Sequence, residues 1–515
     1  MAFIPNRFHH DIFNEIKNTS NNLMIEAVAG SGKTTTLLEI MKMIQGKIIF
    51  LAFNKSIAEE LKSRCPNYVD CSTLHSAGNK IIRSNNSQIL FDQYKLDNIM
   101  NSIHELSFDN YKLYYDKKTD LSDFRYEIKN IVSKIKNLKV DYNNIDEVDF
   151  IIEEFQLDFI LNEKNFNLIK TIMEKNNDFT HIIDFDDMIY FPVYFDLNFK
   201  WKYDYVLIDE AQDLNNCQMD LILKLNKPNG RIIFVGDRRQ SIYSFRSGYD
   251  CSMDILKKRI NAVELPLSVC YRCPTSHIDL IKSIVPQIES KEDAIKGIVE
   301  YINEDKFLDN IVKETNPVIL CRVNAYMVKF VLQLISSGHK AIIKGKKFGD
   351  ILIKLVKKMK AETIEELYLK LDDWKIREKI KLDNKKIPAT PTQYENINDK
   401  YFTLIKIMDN CNDVREVTNK LNTIFSDDNG NCFTFSTVHK FKGGEADTVY
   451  IIAPHLIPLR RKNQTASQYQ EELNIKYVAY TRSKNKLIIV NKTENKIKNN
   501  KNSKTIEEFF NDGSD

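Results

Sequence analysis

MIEAVAGSGKTTT, residues 24–36, carries a short apolar run into a glycine-containing turn and then sets a lysine and three threonines behind it. The pattern predicts a strand from Leu23 to Ala27, a loop, and a helix that starts near Lys33. In such a loop successive backbone N–H groups converge on one point, and the helix N-terminus adds positive potential there. The nest suits a di- or triphosphate. Gly30, Ser31 and Gly32 would supply N–H groups, Lys33 would reach the outer phosphates, and the Thr34 hydroxyl is left for Mg²⁺. Ala27 stands where the general pattern has its first glycine.

A phosphate loop needs a partner that holds the metal and directs attack. KYDYVLIDEAQDLN (202–215) supplies one. Val206 to Ile208 read as a buried parallel strand, with Asp209 and Glu210 at its C-terminal end. Ligands of open α/β sheets bind off that end. Asp209 can therefore hold Mg²⁺ through water, and Glu210 can take the proton of an attacking water. RIIFVGDRRQSIYSFRSG (231–248) reads as a further apolar strand. Gln240 after it is placed to sense a γ-phosphate, and Tyr243 and Phe245 offer rings on which a base can stack.

The composition sets limits on this reading. At 515 residues the chain can hold several cores, roughly two to four domains. A formal net charge of +3 is small beside 74 basic and 71 acidic residues, so a nucleic-acid surface must be a local patch. No run of 18 apolar residues exists, and no membrane partner is expected. The N-terminal MAFIPNRFHHDIFNEIKN has charges where a signal peptide has an apolar core, which predicts an intracellular protein. Nine scattered cysteines fit free thiols in a reducing compartment. Cys270 and Cys273 form a C-x-x-C without a second pair or nearby His to complete a zinc set.

The motifs also occur in an order that resembles superfamily 1 DNA helicases of the UvrD/Rep type. They are AVAGSGKT (27–34), LAFNKSIAEEL (51–61), STLHS (72–76), DFDDMI (184–189), VLIDEAQD (206–213), VGDRRQSIYSFR (235–246), LSVCYRCP (267–274), STVHKFKGGEAD (436–447) and EELNIKYVAYTRS (471–483). The resemblance implies an α/β fold of two RecA-like P-loop domains with parallel sheets, each interrupted by a mostly helical insertion. The implied boundaries are 1–81 with 181–256 for the first RecA-like domain and 82–180 for its insertion. Residues 257–349 with 432–515 would form the second domain, and 350–431 a reduced insertion.

By the same resemblance Arg272 and Arg482 are arginine fingers, Tyr271 stacks on adenine, and Glu445 lies near the ribose. Phe53, Asn54, Lys55, Thr73, His75, Tyr243 and Phe245 of the first domain, with Arg322, Asn324, Thr437 and His439 of the second, would line the path of single-stranded DNA. Two positions depart from the pattern. His9 stands near the usual adenine-reading glutamine, and Thr35 replaces an arginine, which opens the choice between ATP and GTP.

The tail, KTENKIKNNKNSKTIEEFFNDGSD (492–515), sets Ile506, Phe509 and Phe510 on one face of a helical turn. This spacing is similar to a sliding-clamp-binding box over 503–510 and to the short helix that closes the second domain in UvrD-type proteins; the packed helix is the preferred reading. Roughly thirty residues follow Arg482, so no nuclease domain is expected after the helicase core. The implied activity is ATP-driven, 3′ to 5′ movement on single-stranded DNA with unwinding at single-strand/duplex junctions. The alternative is an ATP-gated module that strips proteins from DNA or senses ends. An RNA motor is disfavoured because no 2′-OH reader is evident.

Overall fold

The computed structural model describes residues 3–52, 55–106, 121–155, 157, 159–242, 252–383, 391–427, 432–460 and 464–492. Phe53, Asn54, Tyr243, Phe245 and the 503–510 segment lie outside the described residues, so the expectations placed on them stay at the level of sequence. The chain divides into two compact units. One runs up to Ser268 without Ala29–Ser31, and the other takes Ala29–Ser31 together with the described residues from Val269 onward.

The first unit is built on a six-stranded sheet of β1 (Leu23–Ala27), β2 (Ile48–Ala52), β3 (Val69–Thr73), β6 (Tyr203–Ile208), β7 (Asn226–Gly236) and β8 (Val263–Leu267), in the order β3-β2-β6-β7-β1-β8. Each pairing is parallel. A parallel sheet is covered on both faces, which is why these strands are apolar runs and not alternating ones. Their side chains divide by parity. Ile48 and Phe50 pack on one face with Leu23, Ile25, Leu207 and Ile233, beneath Ile12, Leu37 and Leu61 of three helices. Ile49 and Leu51 pack on the other with Met24, Val206, Ile208 and Phe234, beneath Leu74, Ile81 and Ile222.

Between β3 and β6 the chain adds a short parallel pair, β4 (Leu90–Phe91) with β5 (Ile182–Ile183). It also adds the helices Lys95–Asn101, Leu121–Leu138, Ile145–Glu154 and Glu163–Asp178. A buried ionic cluster ties these helices to the DFDDMI segment. Lys136 Nζ lies 2.9 Å from Asp184 and 2.7 Å from Asp187, and Lys95 Nζ lies 2.7 Å from Asp187. Lys136 and Asp187 are fully buried. Burial works against their charges, but the opposite charges outweigh it, so Asp187 is held below and Lys136 above its ordinary range.

The second unit has a comparable parallel sheet of β11 (Ile298–Asn303), β12 (Val318–Cys321), β13 (Ala341–Ile343), β14 (Phe433–Thr437), β15 (Ala446–Ile452) and β16 (Ser483–Asn491), ordered β11-β16-β15-β12-β14-β13. A two-residue pair, β9 (Val269–Cys270) with β10 (Glu289–Ser290), stands beside it. Four helices, Lys346–Met359, Ile364–Asp383, Pro391–Met408 and Val414–Ile424, fall between β13 and β14. Their Leu352, Leu367, Leu404 and Leu421 join Ile319, Phe435 and Tyr450 of the sheet in one core.

Candidate nucleotide site and DNA-contact residues

Because every strand of the first sheet runs the same way, the segments after β1, β3, β6 and β7 leave the same edge. The loop after β1 turns through Gly30 and Gly32, both at positive φ (68° and 84°), where a side chain would strain the backbone. The helix Lys33–Met41 follows directly, so the sequence-derived strand, loop and helix are all present. The Ser31 hydroxyl is buried and has no hydrogen-bond partner. A buried polar atom left unsatisfied costs free energy until a ligand accepts it. A loop with a waiting hydroxyl, two left-handed glycines and a lysine fits a phosphate.

The carboxylates meet the loop within the first unit. The Thr34 hydroxyl donates to Asp209, and Lys33 Nζ lies 3.4 Å from Glu210 Oε1. Burial and the neighbouring Glu210 charge push the Asp209 carboxyl up to about 6, against the pull of Lys33 and the Thr34 hydroxyl. Burial opposes the Lys33 charge, but Glu210, Asp237 and Asp209 together hold its ammonium above its ordinary range. Glu210 itself adopts a left-handed backbone, φ 54°, which is costly for a residue with a Cβ and is maintained by the surrounding structure.

Sequence reasoning missed two residues that link these groups. Gln212 Nε2 donates to Glu210 Oε2 at 2.5 Å, and its Oε1 accepts the Asp237 N–H at 3.2 Å. Gln240 Nε2 then donates to Asp237 Oδ2 at 2.8 Å. Glu210 and Gln240 are thus joined through one amide and one carboxylate. Both linking residues lie inside the quoted motifs, but only the fold shows which side chains turn towards each other.

His9 has a structural assignment that the sequence did not suggest. It closes a capping box on the helix Arg7–Asn18, with Asn6 Oδ1 accepting the His9 N–H and His9 Nδ1 accepting the Asn6 N–H, each at 3.1 Å. Its Nε2 meets the Thr36 hydroxyl at 3.2 Å. Both ring nitrogens are engaged and the residue is 2 % exposed, so an adenine edge would have to displace a cap. Thr35 sits in the first turn of the helix after the loop.

In the second unit, Arg272 Nε donates to Glu445 at 2.7 Å, and Lys484 reaches the same carboxylate at 2.6 Å. Burial works against the Glu445 charge, yet Lys484 and Arg272 hold its carboxyl below the ordinary range. Arg482 is 1 % exposed, and its guanidinium donates to the Val478 and Gly444 carbonyls at 2.8 and 3.3 Å. Tyr271 keeps an exposed ring.

Among the residues assigned to the DNA path, Lys55 opens the helix Lys55–Arg64. Thr73 caps the helix Leu74–Asn85 by accepting the Ser76 N–H. His75 is half-buried with its ring 6.4 Å from that of Phe185, and burial lowers its pKa. Thr437 ends β14 and accepts the Lys440 N–H, and His439 follows in a turn, half-buried. Two residues are placed otherwise than a free DNA contact requires. Arg322 lies against Glu472 at 2.9 Å and Glu395 at 3.5 Å, and Asn324 donates to Asp399 at 2.9 Å. A buried guanidinium needs a carboxylate, and those partners come from segments distant in sequence.

The model of the UvrD/REP helicase N-terminal domain matches residues 9–260, and that of the UvrD-like helicase C-terminal domain matches 433–490. The chain belongs to the UvrD/Rep helicase family. It is 25 % identical to F-box DNA helicase protein 1 of Schizosaccharomyces pombe, over 92 % of this chain and 56 % of that protein. It is 28 % identical to a probable DNA helicase II homolog of Mycoplasma capricolum, over 72 % and 50 % of the two chains. With the ATP-dependent DNA helicase Rep of Buchnera aphidicola it shares 28 % identity over 48 % of this chain and 39 % of the relative. The matches thus span about half the length of these relatives, or less. No helix among the described residues is long and apolar enough to cross a membrane.

Proposed function

We propose that this chain is an ATP-driven motor that moves 3′ to 5′ along single-stranded DNA and separates the duplex at junctions ahead of it. The observation that carries the reading is the meeting of the phosphate loop with Asp209 and Glu210, in a chain whose relatives are named DNA helicases. Lys33 and the loop N–H groups bind the phosphates, and Glu210 takes the proton of the attacking water. Mg²⁺, when bound, neutralises charge on the phosphates. Thr34 and Asp209 would hold it, Asp209 through water. Arg272 and Arg482 stabilise charge that develops on the transferred phosphoryl group. Tyr271 stacks on the base.

ATP hydrolysis measured with single-stranded DNA, duplex DNA and RNA, followed by strand displacement on 3′-tailed and 5′-tailed duplexes, tests the reading. Stimulation by single-stranded DNA with displacement from the 3′ tail is the expected result. Stimulation without displacement from either tail would favour the protein-stripping alternative, and stimulation by RNA alone would overturn both.

A further inference from the structure

Nucleotide hydrolysis makes no use of the C-x-x-C at 270–273. Cys270 ends β9, and Cys273 precedes Pro274 at the start of the helix Thr275–Ile281. Both thiols are buried, 0 % and 3 % exposed, and both are free. The Cys273 N–H donates to Cys270 Sγ at 3.3 Å. Cys273 Sγ donates in turn to the Thr481 carbonyl at 3.6 Å, and that carbonyl also accepts Arg272 Nη1 at 3.4 Å. The two residues enclosed by the pair are Tyr271 and Arg272. No group of three or more His, Cys, Asp or Glu side chains suited to a metal occurs among the described residues, so the pair stands as a dithiol.

We propose that Cys270 and Cys273 are a modification site, a dithiol that closes to a reversible disulfide and thereby fixes the position of Arg272 and slows turnover. The inference rests on the reading of Arg272 as a group that acts on the transferred phosphate. Cys270 is the attacking sulfur. The Cys273 backbone N–H, which donates to it, and the neighbouring Cys273 thiol outweigh its burial and pull its pKa down to about 7, whereas Cys273 is pushed up. With hydrogen peroxide as oxidant, the Cys270 thiolate attacks one peroxide oxygen, the O–O bond breaks, and the departing hydroxide takes a proton to leave as water. The product is a sulfenic acid. The Cys273 sulfur, giving up its proton, attacks the Cys270 sulfur. The S–S bond forms, the S–O bond breaks, and the hydroxyl leaves with that proton as a second water. A dithiol reductant reverses the bridge by exchange and is itself oxidised. Closure removes the S–H that Cys273 gives to the Thr481 carbonyl and ties both ends of the Tyr271–Arg272 turn.

The test treats the reduced whole protein with hydrogen peroxide, maps disulfides by thiol alkylation and peptide mass, and follows ATP hydrolysis with single-stranded DNA in parallel. The peptide carrying Cys270 and Cys273 should lose two hydrogens. Turnover should fall about a hundredfold, the scale of a misplaced catalytic group, and return with dithiothreitol. Cys273→Ser keeps a donor for the Thr481 carbonyl but cannot bridge, so it should turn over like the reduced protein and ignore peroxide. Cys270→Ala serves the same purpose if that variant fails to fold. Peptide mapping separates this pair from Cys65 and Cys71, two further thiols that neighbour each other. A 270–273 bridge with unchanged turnover overturns the proposal, as does peroxide that bridges Cys65 and Cys71 but not this pair, or equal inhibition of Cys273→Ser. If the reduced protein hydrolyses no ATP, the proposed function fails on its own account, while the mass map still decides whether the bridge forms.

Discussion

Lys33 Nζ lies 3.4 Å from Glu210 Oε1, so the lysine that would bind phosphate and the carboxylate that would accept a proton are each other's counter-ions. Incoming phosphates must compete with Glu210 for Lys33. Glu210→Gln is therefore expected to lower turnover by about 10²–10⁴-fold through loss of the base. It should also tighten ATP binding by up to about fivefold, the scale of one part-exposed ion pair. Isothermal titration of ATP beside steady-state hydrolysis checks both; weaker binding in the variant would show that Glu210 supports the loop and does not compete with it.

The two arginines of the second unit should behave differently. Arg272→Ala is expected to cut turnover by about a thousandfold, leave ATP affinity within about tenfold and leave the melting temperature unchanged. Arg482 is buried and bound to two carbonyls, so Arg482→Ala should lose turnover and also about 1–3 kcal/mol of stability. Melting curves of the two variants, read against single-turnover rates, separate the cases. Equal melting temperatures would mean that the Arg482 hydrogen bonds contribute no net stability.

Burial, and secondarily the nearby His10 charge, lower the His9 pKa from 6.5 to about 4. Between those values the unfolded chain holds a proton on this ring that the folded chain lacks, so stability contributed by neutral His9 is lost as pH falls through that window. His9→Gln keeps a residue type suited to the capping box and removes the titration. Thermal unfolding between pH 7 and pH 4.5 should show a smaller acid loss in the variant than in the wild type. Parallel pH profiles would assign that loss to other groups.

The Lys136 cluster predicts a stability effect far from the nucleotide loop. Lys136→Met leaves Asp184 without its lysine and Asp187 with Lys95 alone, a change expected to cost about 3–5 kcal/mol because the uncompensated charges stay buried. Urea unfolding gives the difference directly. A loss below about 1 kcal/mol would mean that the cluster relaxes by protonation of Asp184, whose carboxyl burial already pushes up.

The parts of this architecture written in contiguous residues were legible in the sequence. Runs such as IIFLA and VLI are apolar without alternation because both sheet faces are covered, and AGSGKT needs its glycines at positive φ. What could not be read depends on residues brought together from distant segments. DFDDMI gives no hint that its aspartates receive Lys95 and Lys136 from the insertion. Arg322 reads as a cation available to DNA until Glu472, 150 residues later, is found against it. His9 reads as a base contact because its capping partner, Asn6, becomes visible only once the helix start is fixed. Burial and pairing decide these roles, and neither follows from local pattern.

The strand order has a consequence for synthesis of the chain. β1, which leads into the phosphate loop, is made well before both of its neighbours, β7 and β8, which come from residues 226–267. The helix Arg7–Asn18 is in the same position, since Arg231 on β7 donates to the carbonyls of Glu15, Ile16 and Thr19 at its end. On the ribosome, the nascent loop therefore emerges long before the strands that hold it in line, and its edges stay open to other partners until they arrive. A pause or truncation before residue 226 would leave a chain that contains every phosphate-binding residue of the loop but lacks both strands that flank β1.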